Sequence, residues 1–133
     1  MRIYNKEIIK KIKEIREFIY ITLAEHQDYS KYALRYTFHI FFTNFPNKTL
    51  GSASINKSNA IIYLDYSLLS DETMLKNVVK HELAHILSDV EGHSERFRSI
   101  CRELGTDEEF CFSKLKRAKT ASDKIKKLLA LSS

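Results

Sequence analysis

The chain has 133 residues, of which 44% are hydrophobic and 29% charged, with a formal net charge of +5. This composition is typical of one soluble globular domain, and two cysteines, Cys101 and Cys111, exclude a disulfide framework. The apolar runs are too short to span a bilayer, and lysines and glutamates interrupt the N-terminal apolar residues, unlike those of a signal peptide. We therefore predict a single cytoplasmic domain over residues 1–133, with no membrane partner.

The first half of the chain contains one helical pattern and three strand patterns. Isoleucines recur at three- and four-residue spacing within residues 5–27, which predicts an amphipathic helix. Residues 34–45 are rich in aromatic and β-branched residues and predict a strand that ends before Pro46. Residues 50–56 and 59–66 predict a hairpin around a polar turn. We expect a small three-stranded antiparallel sheet.

The second half is predicted to be helical. Ser70 is the expected N-cap of a helix that runs to about Val90. Ser94 is the expected N-cap of a shorter helix that ends at Gly105, a residue suited to a left-handed C′ position. The shorter helix has one apolar stripe, made of Phe97, Ile100, Cys101 and Leu104. The resulting order of elements, α-β-β-β-α-α-α, predicts an α+β fold with two C-terminal helices.

The C-terminal segment, residues 106–133, is predicted to be a basic helix. Thr106 and Glu109 have the spacing of a capping box at its start. Its inner face comprises Leu115, Ala118, Ser122, Ile125 and Leu129. Four basic residues cluster early in it: Lys114, Lys116, Arg117 and Lys119. Such a cluster indicates either a solvated helix face or a nucleic-acid contact, and both interpretations stay open.

The motif His81-Glu82-Leu83-Ala84-His85 has the pattern HExxH on the predicted helix 70–90. Residues four apart lie one turn apart on the same face of a helix, so both imidazoles can bind one ion. Glu82 points about 100° around the helix from His81, so it can reach a water molecule beside that ion. The spacing predicts a zinc site with Glu82 as general base.

The same helix has an apolar arc that should face the core: Leu75, Val79, Leu83, Ile86, Leu87 and Val90. His81 and His85 lie opposite this arc, so we expect an exposed histidine face. Two further histidines, His26 and His39, stand alone in a predicted helix and a predicted strand. Both are interpreted as structural.

A catalytic zinc ion normally has three protein ligands and one open position. His93 is the predicted third ligand, because it follows the helix end at Gly92 in a turn that can fold back over the histidines. Glu91 and Asp89 are the competing ligands. Tyr63, Tyr66 and Arg96 are candidate donors to an oxyanion, and the sequence does not select among them.

These residues resemble those of the SprT-like family of zinc metalloproteases, which includes the Spartan-type proteases of DNA–protein crosslink repair. The resemblance rests on Gly51-Ser52-Ala53-Ser54 with the following strand, on the HELAH helix, and on the segment from Gly92 to Phe97 with Leu104-Gly105. It covers about residues 30–105. Many members have a Cys-rich zinc ribbon after this part, whereas a basic segment follows it here.

The resemblance implies a zincin-like α+β domain that binds one Zn²⁺ per chain and hydrolyses peptide bonds. It also implies a protein or peptide substrate and suggests DNA-associated proteins as the substrate class. DNA as a partner of the basic segment is a separate expectation, which rests on the cluster of basic residues. Two alternatives remain. A YbeY-like zinc-dependent endoribonuclease also begins its histidine set with HxxxH, but has a shorter gap to the third histidine. A non-catalytic zinc-containing nucleic-acid-binding protein would need a fourth ligand, and none is evident.

Overall fold

The computed structural model describes residues 5–46, 49–89 and 95–106. Its elements in chain order are α1 (Lys6–Ala24), α2 (Tyr32–Arg35), β1 (Thr37–Thr43), β2 (Gly51–Asn56), β3 (Asn59–Asp65), a 3₁₀ helix (Tyr66–Ser70), α3 (Glu72–Leu87) and α4 (Glu95–Glu103). Within these ranges, no helix is long and apolar enough to cross a membrane.

Helix α1 begins at a side-chain cap and buries one stripe. The Asn5 Oδ1 accepts a hydrogen bond from the Ile8 amide at 2.9 Å, which satisfies one of the free N–H groups at the helix start. Ile15, Ile19 and Leu23, each four residues apart, are buried in the core. The helix predicted over residues 5–27 is therefore present, and it ends at Ala24.

The sheet has the strand order β1-β3-β2 and is mixed, so the prediction of an antiparallel sheet was wrong for one strand pair. The hairpin of β2 and β3 is antiparallel as predicted, with Asn56 opposite Asn59. Strand β1, however, pairs with β3 in parallel. Strand β1 ends and β2 begins at the same end of the sheet, and β3 lies between them. The polar turn between β2 and β3 predicts their antiparallel pairing. The pairing of β1 with β3 depends instead on contacts between segments that are distant in sequence.

The predicted strand over residues 34–45 also begins too early. Residues 32–35 form α2 instead, and β1 starts at Thr37. The Tyr32 ring is buried and stacks on the ring of Tyr36 with centroids 6.1 Å apart. The aromatic residues that predicted a strand here pack into the core as part of a short helix and the residue after it.

A buried carboxylate joins the end of the sheet to the helices. Asp65, fully buried, accepts hydrogen bonds from the amides of Phe45 and Ser67, each at 3.1 Å. It thereby links the chain after β1 to the 3₁₀ helix. Ser70 is the last residue of that 3₁₀ helix, so it is not the N-cap of α3 as predicted. Asp71 is the cap, and its Oδ1 accepts from the Met74 amide at 3.0 Å.

Helices α1 and α3 contact each other and pack on one face of the sheet. Alternate residues of the strands point toward them: Phe38, Ile40, Phe42, Ala60, Ile62 and Leu64, all buried. The opposite face of the sheet is open, and the exposed rings of Phe41 and Tyr63 stack on it at 5.5 Å. Helix α3 thus lies between the sheet and α4, which brings the HExxH motif to the centre of the structure.

Candidate metal centre

Helix α3 brings three potential metal ligands together. One nitrogen each of His81 and His85 and one carboxylate oxygen of Glu82 lie within 4.8 Å of one another. His81 and Glu82 are 7% and 4% exposed, and His85 is half-buried. One helical turn separates the two histidines, which brings their ring centroids to 5.0 Å. The arrangement has the chemistry of a site for one divalent cation.

The histidine face of α3 is covered, which corrects the expectation of an exposed face. Phe97 of α4 is buried, and its ring stacks on His85 with centroids 4.3 Å apart and an angle of 27°. The same ring meets His81 edge-on at 5.0 Å. The helical wheel of α3 alone could not predict this cover, because it comes from another helix. Phe97 therefore contacts both imidazoles, a role that its place on an apolar stripe did not indicate.

Helix α4 is fixed at its C-terminal end. Gly105 has φ = 89° and occupies the predicted C′ position. The Thr106 amide donates to the Cys101 carbonyl at 2.7 Å, and the Gly105 amide donates to the Arg102 carbonyl at 3.2 Å. These two bonds form a Schellman motif. Ile100, Cys101 and Leu104 are buried with Phe97, so the predicted apolar stripe is confirmed.

A groove of roughly 550 Å³ runs between β2 and α3. Its helix side includes Glu82, His85, Ile86 and Asp89, and its strand side is β2 from Gly51 to Ile55. Strand β2 is an outer strand of the sheet, hydrogen-bonded to β3 on one side. The groove thus joins an outer strand to two of the potential metal ligands. The hairpin pattern predicts β2 as a strand but does not indicate that this strand borders the site.

Asp89, a competing third ligand, does not converge with the two histidines in the described arrangement. Helix α3 ends at Leu87, and Asp89 has φ = 51°, so it is not within the helix as expected. Among the described residues, Asp89 is not part of the convergent group, and its Oδ1 accepts a hydrogen bond from the Tyr36 hydroxyl at 3.3 Å. His93 and Glu91 lie outside the described residues, so His93 stays a prediction.

Two tyrosines between α1 and β1 form hydrogen bonds with residues of, or next to, the helices around the site. The Tyr29 hydroxyl donates to Glu103 of α4 at 2.5 Å, and burial together with this bond raises the Tyr29 pKa above its usual value of 10.0. Burial and the neighbouring Asp89 carboxylate also raise the pKa of Tyr36. Both phenols are neutral donors over the physiological pH range, so both hydrogen bonds persist there.

None of the three candidate oxyanion donors lines the groove. Tyr63 lies on the open face of the sheet, away from α3. The ring of Tyr66 stacks on Phe42 in the core with centroids 6.1 Å apart. Arg96 donates to the Leu87 carbonyl at 3.5 Å, at the end of α3. The groove geometry gives no support to any of these three as the donor.

The remaining predicted residues divide into two groups. His39 pairs with Asn59 on the sheet, at 2.9 Å, and neither His39 nor His26 belongs to the convergent group, which agrees with their structural interpretation. The basic residues Lys114, Lys116, Arg117 and Lys119, the capping-box residue Glu109 and the predicted N-cap Ser94 lie outside the described residues.

Comparison with known proteins defines the fold and the family. No curated protein sequence matches the chain. The structure is similar to the crystal structure of the metallopeptidase zymogen jannalysin of Methanocaldococcus jannaschii, with a TM-score of 0.53 and 18% identity. The match covers 91% of this chain and 95% of that one, and it confirms the predicted zincin-like α+β fold. The sequence profile of the SprT-like family matches residues 21–119, most of the chain, and the protein therefore belongs to the SprT-like family.

Proposed function

We propose that this protein is a zinc-dependent metallopeptidase that hydrolyses peptide bonds in the groove between β2 and α3. The observation that carries the proposal is the convergence of His81, Glu82 and His85 within 4.8 Å on one helix beside an outer strand. Membership of the SprT-like family and the fold shared with a metallopeptidase zymogen support the same activity.

The donor set fits zinc. Imidazole nitrogens four residues apart on a helix are a common zinc-binding pair, and catalytic sites complete it with a third protein ligand. We propose that His81, His85 and His93 hold one Zn²⁺. When bound, this ion would polarise a carbonyl oxygen and make a neighbouring water more acidic.

Glu82 is the proposed general base. Its carboxylate is buried beside the two imidazoles and reaches the groove from the helix side. In this position it can accept a proton from the attacking water and later deliver it to the leaving amine. The burial of Glu82 limits the water around its carboxylate, which would strengthen its electrostatic interaction with the reacting groups.

The groove fits an extended polypeptide. An outer strand has backbone N–H and C=O groups that can pair with a further strand. We propose that a substrate segment pairs with β2 and that this pairing holds the scissile bond near Glu82. Two small residues of β2, Gly51 and Ala53, line this groove.

The substrate class and the DNA contact remain proposals that rest on the sequence. We propose a protein substrate associated with DNA, because the chain has a pI of about 9.2 and a cluster of basic residues in its C-terminal segment. The cluster would hold the enzyme near the nucleic acid, where such substrates occur. This part of the proposal is independent of the hydrolytic chemistry.

The Glu82→Gln variant tests the proposed chemistry. Glutamine keeps the shape of the side chain but cannot accept the proton, so hydrolysis of a basic protein substrate should fall ~10²-fold or more. Zinc content and thermal stability should stay near those of the wild type, as measured by elemental analysis and thermal unfolding. Undiminished proteolysis would refute the general-base role, and loss of both zinc and folding would assign Glu82 a structural role.

A further inference from the structure

We infer that Gly51 is a positioning residue for Glu82: the absence of a side chain at Gly51 provides the space in which the Glu82 side chain lies. The inference rests on the proposed function for its catalytic consequence, whereas its structural basis stands on packing alone. Nothing in the sequence indicated why glycine occurs at this position.

Gly51 points toward α3. It is the first residue of β2 and lies opposite Leu64 of β3, a core residue, so both occupy the sheet face that the helix covers. The described residues with positive φ do not include Gly51, so its backbone does not require glycine. The need for glycine at this position must come from the close approach of helix α3.

A methyl group at Gly51 would displace its neighbours by a few tenths of an ångström. A Cβ atom there would lie 3.0 Å from Val78 Cγ1, 3.2 Å from Glu82 Cγ and 3.2 Å from the carbonyl oxygen of Tyr63. Carbon atoms in good contact are about 3.5–4.0 Å apart. An alanine would therefore press on two side chains of α3 with different roles, because Val78 belongs to the core and Glu82 belongs to the site.

The contact with Glu82 would change the position of the carboxylate, whereas the contact with Val78 would not. Cγ is the middle carbon of the Glu82 side chain, and moving it changes the direction of the carboxylate. A misplacement of about 1 Å in a catalytic group can reduce a rate ~10²-fold. A displacement of a few tenths of an ångström should therefore reduce kcat by ~10-fold and leave zinc binding through the histidines unchanged.

Three variants separate the two contacts: Gly51→Ala, Val78→Ala and the double variant. Val78→Ala removes the nearest atom, Cγ1, and leaves Glu82 Cγ in place. Each zinc-loaded protein is examined for its unfolding free energy, kcat and KM, and for the ¹³C carboxyl resonance of Glu82, which is assigned by its loss in Glu82→Gln. The resonance reports the surroundings of the carboxylate even in a protein without measurable activity.

We expect Gly51→Ala to lower stability, shift the Glu82 resonance and reduce kcat, with KM and zinc content little changed. In the Val78→Ala background, the same change should destabilise the protein less, because the closest contact is gone. The resonance shift and the loss of kcat should nevertheless persist. Val78→Ala alone should lower stability and leave kcat and the Glu82 resonance unchanged.

Two results would overturn the inference. An unshifted Glu82 resonance in Gly51→Ala would show that the carboxylate does not depend on this space. Recovery of kcat and of the resonance together with stability in the double variant would assign the effect to core packing through Val78. An inactive wild type whose Glu82 resonance still shifts in Gly51→Ala would refute the proposed function and leave the packing relation intact.

Discussion

At the scale of single residues, the proposed third zinc ligand, His93, is the most informative point to test. We expect His93→Ala to lose most of its zinc on dialysis, because two imidazoles alone leave the ion without a third protein ligand. Glu91→Ala, two residues away in the same segment, should retain about one zinc per chain. Elemental analysis of both proteins decides the assignment, and the reverse result would make Glu91 the ligand.

Phe97 allows a second prediction at this scale. Its ring contacts both imidazoles, so Phe97→Leu should leave them less well oriented and lower zinc affinity by about 10-fold in a chelator competition. Ile100→Ala is the matched control, because it also removes buried apolar volume from α4. An equal loss of affinity in both variants would indicate a general effect of stability.

The residue types of the site could be predicted from spacing, but their surroundings could not. His81, Glu82 and His85 converge because four-residue spacing on a helix is a local property. The burial of His81 and the ring of Phe97 over it depend on how α4 packs on α3, which one helix alone does not indicate. Gly51 illustrates the same limit, since its role appears only when β2 is placed against α3.

At the scale of elements, local pairing was predictable and distant pairing was not. The hairpin of β2 and β3 follows from its polar turn, and α1 follows from its isoleucine spacing. The parallel pairing of β1 with β3 and the 3₁₀ helix before α3 have no comparable local pattern. Asp65, a buried carboxylate, accepts hydrogen bonds from both regions, from Phe45 after β1 and from Ser67 in the 3₁₀ helix.

The hydrogen bond between Tyr29 and Glu103 of α4 predicts how the stability of the protein depends on pH. The Tyr29 pKa is raised in the folded state, so the folded protein holds this proton more tightly than the unfolded chain does. The stabilisation is complete below the usual tyrosine pKa of 10.0 and is lost as pH rises above it. We expect the unfolding free energy to decrease above pH 10.0 and to decrease less steeply in Tyr29→Phe.

Denaturant unfolding across this alkaline range measures the effect. Tyr36→Phe is a useful comparison, because burial is the main cause that raises the pKa of both tyrosines, whereas the carboxylate near Tyr36 is Asp89 rather than a residue of α4. Identical pH slopes for Tyr29→Phe and the wild type would show that the bond to Glu103 does not contribute.

At the scale of the whole molecule, the positive charge predicts salt-dependent binding to single-stranded DNA. If the basic segment contacts phosphates, each contact releases a condensed counterion, and affinity should fall steeply with salt. Replacing Lys114, Lys116, Arg117 and Lys119 by Ser should lower affinity and flatten the salt slope. Zinc content should not change. Binding that is absent, or that the four substitutions leave unaltered, would assign the segment to a solvated face.

The outer position of β2 also has a consequence for the behaviour of the protein in concentrated solution. A strand that remains accessible to a substrate backbone is equally accessible to the same strand of another molecule, which favours aggregation through edge-to-edge pairing. Strand β2 has only six residues, and Ser52 and Ser54 alternate along it. A short, hydroxyl-rich strand limits the gain from self-pairing, so the proposed accessibility to substrate and resistance to aggregation would be balanced within one segment.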